Sequence, residues 1–209
     1  MAAGTREQKK ARARAAMAAA AADLFGTHGF TDVTMAQIAR AAGVSDQTLY
    51  NYFPTKESLV FDQAGAFETT LLHALADRPP GSDPVDAFAR WFDAFLLGEA
   101  AERGLANPGG MIRLVSGSDT LHRTLLAFAH RVAGRAAAVL DDDASTPTAT
   151  VLADAMLAVV VRVFDALGSA HDASDVGDIT ARAHAAVEAL RPLAAGLPTG
   201  SPARPPGRA

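Results

Sequence analysis

Apolar residues recur at helical spacing along almost the whole chain, and no convincing run of alternating, β-branched residues interrupts them. Met17, Ala21, Leu24 and Phe25 fall at i, i+4, i+7 and i+8 and predict a first helix ending near Thr27, with Gly29 as its left-handed stop. Thr34-Met35-Ala36-Gln37 has the spacing of a capping box, in which a hydroxyl and an amide side chain satisfy each other's backbone donors. It opens a short second helix striped with Ile38, Ala39 and Ala42, which Gly43 ends. Ser45 is placed to cap a third helix running to about Phe53. After Pro54, Thr55 caps a fourth helix, expected to continue unbroken through Leu59, Val60, Phe67, Leu71, Leu72 and Leu75.

The same spacing predicts five more helices. Asp83-Pro84 starts one that carries Val85, Phe88, Trp91, Phe92, Phe95 and Leu96 to about Ala101. The Asn107-Pro108-Gly109-Gly110 break precedes a short helix over 111–116, and a longer one follows from Ser118 to Leu140. Beyond the acidic loop from Asp141 to Pro147, residues 148–169 are apolar on nearly every face, as suits a helix buried on several sides. A last helix is expected from Ser174 to Leu193, and a Pro-, Gly- and Arg-rich tail, expected to be disordered, follows Gly196. The fold class is therefore all-α.

Charge divides the chain more sharply than hydropathy does. The formal net charge is −4, yet residues 1–62 hold seven basic and six acidic side chains, net +1. Residues 63–209 hold twelve and seventeen, net −5. Five of the seven cations (Arg6, Lys9, Lys10, Arg12 and Arg14) crowd the first fourteen residues beside a single Glu7. That cluster is either a solvated helix start or an arm that follows phosphates. The run KKARARAAMAAAAADLFG has the layout of a secretory signal, but its centre lacks strongly apolar residues and reads as an amphipathic helix. There is no Cys, which removes disulfides and thiolate chemistry and agrees with a cytoplasmic location. No run is apolar enough to span a membrane, and no metal site is visible. GxSxG, HExxH and phosphate-cradling glycine loops are absent too, so no catalysis and no cofactor are expected.

Two short helices joined by a tight turn at Gly43 form a helix-turn-helix pattern, with Val44, Leu49 and Phe53 facing inward. Gln47, Thr48, Tyr50, Asn51 and Tyr52 are left for solvent or DNA. Carboxamides can pair with adenine in the major groove, Thr can touch a thymine methyl, and hydroxyls can hold phosphate. Taken singly, each has a plainer use: either tyrosine can pack the small domain, Thr34 is a cap with or without DNA, and Lys56 can be a solvated lysine.

The ordered set Phe30, Thr34, Ile38-Ala39, Ala42-Gly43-Val44-Ser45, Thr48-Leu49-Tyr50, Tyr52-Phe53 and Lys56-Glu57-Leu59 resembles the TetR family of transcriptional regulators over residues 10–62. The resemblance implies a three-helix DNA-binding domain over 1–62 with a basic N-terminal arm. It also implies a larger helical ligand-binding and dimerisation domain over 63–196, before the tail 197–209. Carried over by position, Thr34, Ser45, Gln47, Thr48, Tyr50, Asn51, Tyr52 and Lys56 contact double-stranded operator DNA, with Lys56 pairing with a phosphate. Asp46-Gln47 departs from the family pattern, in which a basic residue is often followed by a small one. Asp46 either stabilises the start of its helix or accepts from a cytosine amine.

The family's mode of action implies a repressor that a small-molecule effector releases from a palindromic site, and a homodimer joined through the last two helices. Trp91, Phe95, Met111, Arg113, Phe128 and Arg162 are the candidate lining of the effector pocket. Arg113 and Arg162 stand among apolar neighbours, and a buried cation needs a carboxylate from the protein or from a ligand. The competing function is a helical small-molecule or lipid binding protein without DNA binding.

Overall fold

The computed structural model describes residues 2–103, 110–141, 147–170 and 173–197; the side chains of 2–5, 97–103, 111 and 173 are left out of the description. Among the described residues the structure is helical throughout. Its elements are α1 (Ala2–His28), α2 (Met35–Ala41), α3 (Asp46–Tyr52), α4 (Glu57–Val60), α5 (Ala64–Ala76), α6 (Pro84–Arg103), α7 (Met111–Ser116), α8 (Asp119–Leu140), α9 (Pro147–Gly168), α10 (Ala173–Glu188) and α11 (Arg191–Ala194). The expected turn at Asn107–Gly110, the acidic loop and the tail fall wholly or mostly outside the described residues.

The chain forms two compact units: the described parts of Met1–Gln63 with Ala106–His122, and of Ala64–Leu105 with Arg123–Ala209. In the first, α1 packs on α2 and α4, and α2 on α3. Met17, Ala21 and Phe25 of α1 are buried with Phe30, Val33, Ile38, Ala39, Leu49, Phe53 and Leu59. Burying each of the larger of these, the Met, Leu, Ile, Val and Phe side chains, contributes roughly 1.5–3 kcal/mol relative to leaving it in water. In the second unit, α5 packs on α6, α9 on α10, and α11 on both α6 and α9. Phe88, Phe92, Leu71, Leu75, Leu152 and Met156 are fully enclosed there.

Two expected helices are each divided in the structure. The fourth splits into α4 and α5, with turns at Phe61–Gln63 where one compact unit gives way to the other. Apolar spacing continues across that break and cannot reveal it. The last helix splits into α10 and α11 because Pro192 has no N–H to offer the Glu188 carbonyl.

Much of α9 is buried, as its composition suggests. The helix is not enclosed all round: Val151, Asp154, Ala158 and Arg162 form an exposed stripe at i, i+3, i+7 and i+11, with Val151 at 51% exposure. Arg162 lies on that stripe, so it is not the buried cation that its sequence neighbours implied.

Candidate nucleic-acid interface

Local hydrogen bonding sets α2 and α3 in place. Thr34 caps α2: its hydroxyl accepts from Gln37 N at 3.3 Å, while Gln37 Oε1 accepts from Thr34 N at 2.7 Å and from Thr34 Oγ1 at 2.9 Å. The capping box expected from the sequence is present. At the other end Gly43 adopts φ +67°, a backbone region that L side chains enter only at a cost. Gly43 N donates to Arg40 O at 3.2 Å and Val44 N to Ala39 O at 2.9 Å, closing the helix as a Schellman motif. Ser45 then caps α3, its Oγ accepting from Thr48 N at 3.2 Å and sharing a 2.8 Å bond with Thr48 Oγ1. Asp46 is exposed in the first turn of α3, so the cap itself is the serine and the acid lies beside the positive helix end.

This arrangement buries Leu49 and Phe53 completely and turns Gln47, Tyr50 and Asn51 outward, with Thr48 and Tyr52 half-buried. Tyr50 is 47% exposed, so its ring and hydroxyl face the solvent. Gln47 Nε2 donates to Asn51 Oδ1 at 3.0 Å, joining two carboxamides one turn apart. Thr34, Ser45, Gln47, Tyr50 and Asn51 are all solvent-accessible.

Two cations expected at the DNA surface turn inward instead. The Lys56 ammonium donates to Phe30 O at 2.6 Å, Val33 O at 2.8 Å and Thr31 O at 3.2 Å, and lies 4.4 Å from the Phe30 ring centroid. In this structure the ammonium is directed at backbone carbonyls. Arg14 behaves alike. Its Nε donates to Asp62 Oδ1 at 2.5 Å and Nη1 to Tyr52 O at 3.0 Å, and its guanidinium sits 4.3 Å from the Phe53 centroid. Arg14 therefore ties the end of α3 to the segment after α4. The remaining arm residues, Arg6, Lys9, Lys10 and Arg12, are exposed along α1, and Arg40 adds an exposed cation in the last turn of α2. Arg40 is absent from the sequence-predicted contacts because it lies off the apolar stripe that defines that helix. Asp62 carries no local signal at all, since 48 positions separate it from Arg14.

The candidate effector residues are only partly brought together. Phe67, which the sequence did not single out for a pocket, packs edge-on to Trp91, Phe95 and Phe128, with centroids at 4.9, 5.2 and 5.7 Å. Trp91 stacks on Phe95 at 5.5 Å and donates from Nε1 to Thr70 Oγ1 at 3.0 Å; Phe95 in turn stacks on Phe164 at 5.8 Å. Arg113 is exposed on α7, in the first compact unit, and Arg162 is exposed on α9. The Met111 side chain lies outside the described residues. Among the described residues no cluster of three His, Asp or Glu can hold a metal, and no helix is long and apolar enough to cross a membrane.

A capped, tightly turned helix pair with a polar outer face on its second member defines a helix-turn-helix DNA-binding protein. Comparison with known proteins narrows the class. Residues 18–62 match the profile of the bacterial regulatory proteins of the tetR family. The HTH-type transcriptional regulator TcmR of Streptomyces glaucescens is 31% identical over 153 residues, 67% of each chain. Among solved structures, NalD, the secondary repressor of the MexAB-OprM efflux pump in Pseudomonas aeruginosa, superposes with a TM-score of 0.58 at 19% identity, over 91% of this chain and 98% of its own. The repressor FadR of Thermus thermophilus, solved with lauroyl-CoA, gives 0.54 at 20% identity, over 93% and 100%. The chain belongs to the TetR family and is a DNA-binding transcriptional regulator.

Proposed function

We propose that this regulator is a cytoplasmic, homodimeric repressor that holds a palindromic operator and is released from it by a small-molecule effector. The observation that carries the reading is the outer face of α3, where Gln47, Tyr50 and Asn51 stand exposed on a helix fixed by the Ser45 cap and the buried Leu49 and Phe53. Thr34, Ser45, Thr48 and Tyr52 supply hydroxyls for nearby phosphates, and Arg6, Lys9, Lys10 and Arg12 supply the positive field. Lys56 and Arg14 serve the site by holding its parts in position.

Dimerisation through α9 and α10 is supported by what those helices leave uncovered. Val151 and Ala158 are exposed on α9, and Gly177, Ala181, Ala185 and Ala189 are exposed at four-residue spacing along and just beyond α10. Small residues allow two helices to approach closely, and a two-fold pairing repeats the same face on both partners. The effector in this reading meets the aromatic cluster of Phe67, Trp91, Phe95 and Phe128.

Selection of bound fragments from genomic DNA tests the proposal. The expected result is an enriched site with two-fold symmetry, since the symmetry of a dimer reappears in its operator. Metabolite fractions added to the complex should then release the DNA. Failure to enrich any symmetric site would overturn the proposal.

A further inference from the structure

Gln47 and Asn51 are both exposed on α3 and are joined by the 3.0 Å bond from Gln47 Nε2 to Asn51 Oδ1. A carboxamide has one acceptor oxygen and two N–H donors, and a solitary glutamine can turn its amide over to present either edge. In the structure the bond to Asn51 holds the Gln47 amide in one of its two settings. It uses one Gln47 hydrogen and leaves the Gln47 amide with its Oε1 acceptor and one Nε2–H donor side by side. That pair complements the N6 donor and N7 acceptor of adenine in the major groove. Guanine presents two acceptors there, so its O6 would face Oε1, oxygen against oxygen.

We infer that Gln47 and Asn51 act as one reading unit for an adenine in each operator half-site. Gln47 touches the base; Asn51 is a positioning residue that fixes which edge of the glutamine faces it. The inference rests on the proposed role of α3 as the recognition helix.

The test is operator selection from a randomised DNA pool with the full-length protein, followed by titration of single-base operator variants. The parent protein should prefer adenine at one half-site position by about tenfold to a hundredfold. Gln47→Ala should erase the preference at that position and leave the others intact. Asn51→Leu should weaken it at the same position, and the double variant should lose no more than Gln47→Ala alone. Asn51→Asp keeps an acceptor for Nε2, so it should retain the adenine preference even where overall affinity falls. Unchanged melting curves would show that these exposed substitutions leave the fold intact.

Three results would overturn the inference: guanine selected in place of adenine, Asn51→Leu relaxing only a different position, or Gln47→Ala altering no preference. A parent protein that enriches no symmetric site would instead overturn the functional reading beneath it.

Discussion

The two compact units put their positive charge to different uses. In the first, Lys56 turns onto backbone carbonyls and the Phe30 ring, and Arg14 joins Asp62, the Tyr52 carbonyl and the face of Phe53. In the second, arginines tie surface acids together: Arg135 with Glu68, and Arg191 with Asp83, Asp86 and Glu188. The interiors of both units hold apolar and aromatic side chains alone among the described buried residues. The difference explains how the nearly neutral stretch Ala41–Leu59 fits a DNA-binding face. Formal charge there holds the framework, while amides and hydroxyls meet the solvent. In the proposed reading, affinity for the polyanion falls to the exposed cations of α1.

The largest expected effects separate the two units. Phe53→Ala and Phe88→Ala each empty a fully buried ring position and should cost about 3–5 kcal/mol of stability. Their effects on DNA binding should differ. Phe53 also carries the Arg14 guanidinium beside the end of α3, so its loss should abolish operator binding even at temperatures where circular dichroism shows a folded chain. Phe88→Ala, folded under the same conditions, should bind the operator nearly as the parent does. Equal loss of binding in both variants would break the comparison.

A much smaller effect should appear in acid. Hydrogen bonding to Arg191, and then its charge, hold the Glu188 carboxyl below the ordinary carboxylate range. A carboxylate depressed in the folded state stabilises the fold fully above its unfolded pKa, about 4.3, and loses that contribution as pH falls through the lower folded value. The melting temperature of the parent should therefore fall slightly more steeply below about pH 4.3 than that of Arg191→Met. Parallel curves would show that the Arg191 cluster contributes nothing measurable, as is common for exposed pairs.

How much of the molecule was legible in its sequence depends on how far each interaction reaches. The caps at Thr34 and Ser45 and the turn at Gly43 are local, made between residues three to five positions apart, and the spacing alone disclosed them. The inward turn of Lys56 depends on carbonyls 23 to 26 positions away, and that of Arg14 on Asp62. No pattern of residue types announces such partners, and exposed and inward lysines look the same in a sequence. Arg162 misled for a related reason: its nearest neighbours in sequence point to other faces of the helix, and its own face is shared with Asp154 and Ala158. Of the aromatic cluster, Trp91, Phe95 and Phe128 were candidates from the sequence, whereas Phe67 was not, because it joins them from another helix.

The salt dependence of operator binding tests the inward placement of charge most directly. Each phosphate neutralised by a cation contributes about 0.9 to the slope of log affinity against log salt. The parent and Lys56→Gln would be titrated at a temperature where both are folded, beside a variant carrying Lys9→Gln and Lys10→Gln. An inward Lys56 predicts a weaker but parallel line for Lys56→Gln, and exposed arm lysines predict a shallower one for the α1 variant. A slope for Lys56→Gln shallower by about 1.8, one phosphate on each of two heads, would contradict that placement.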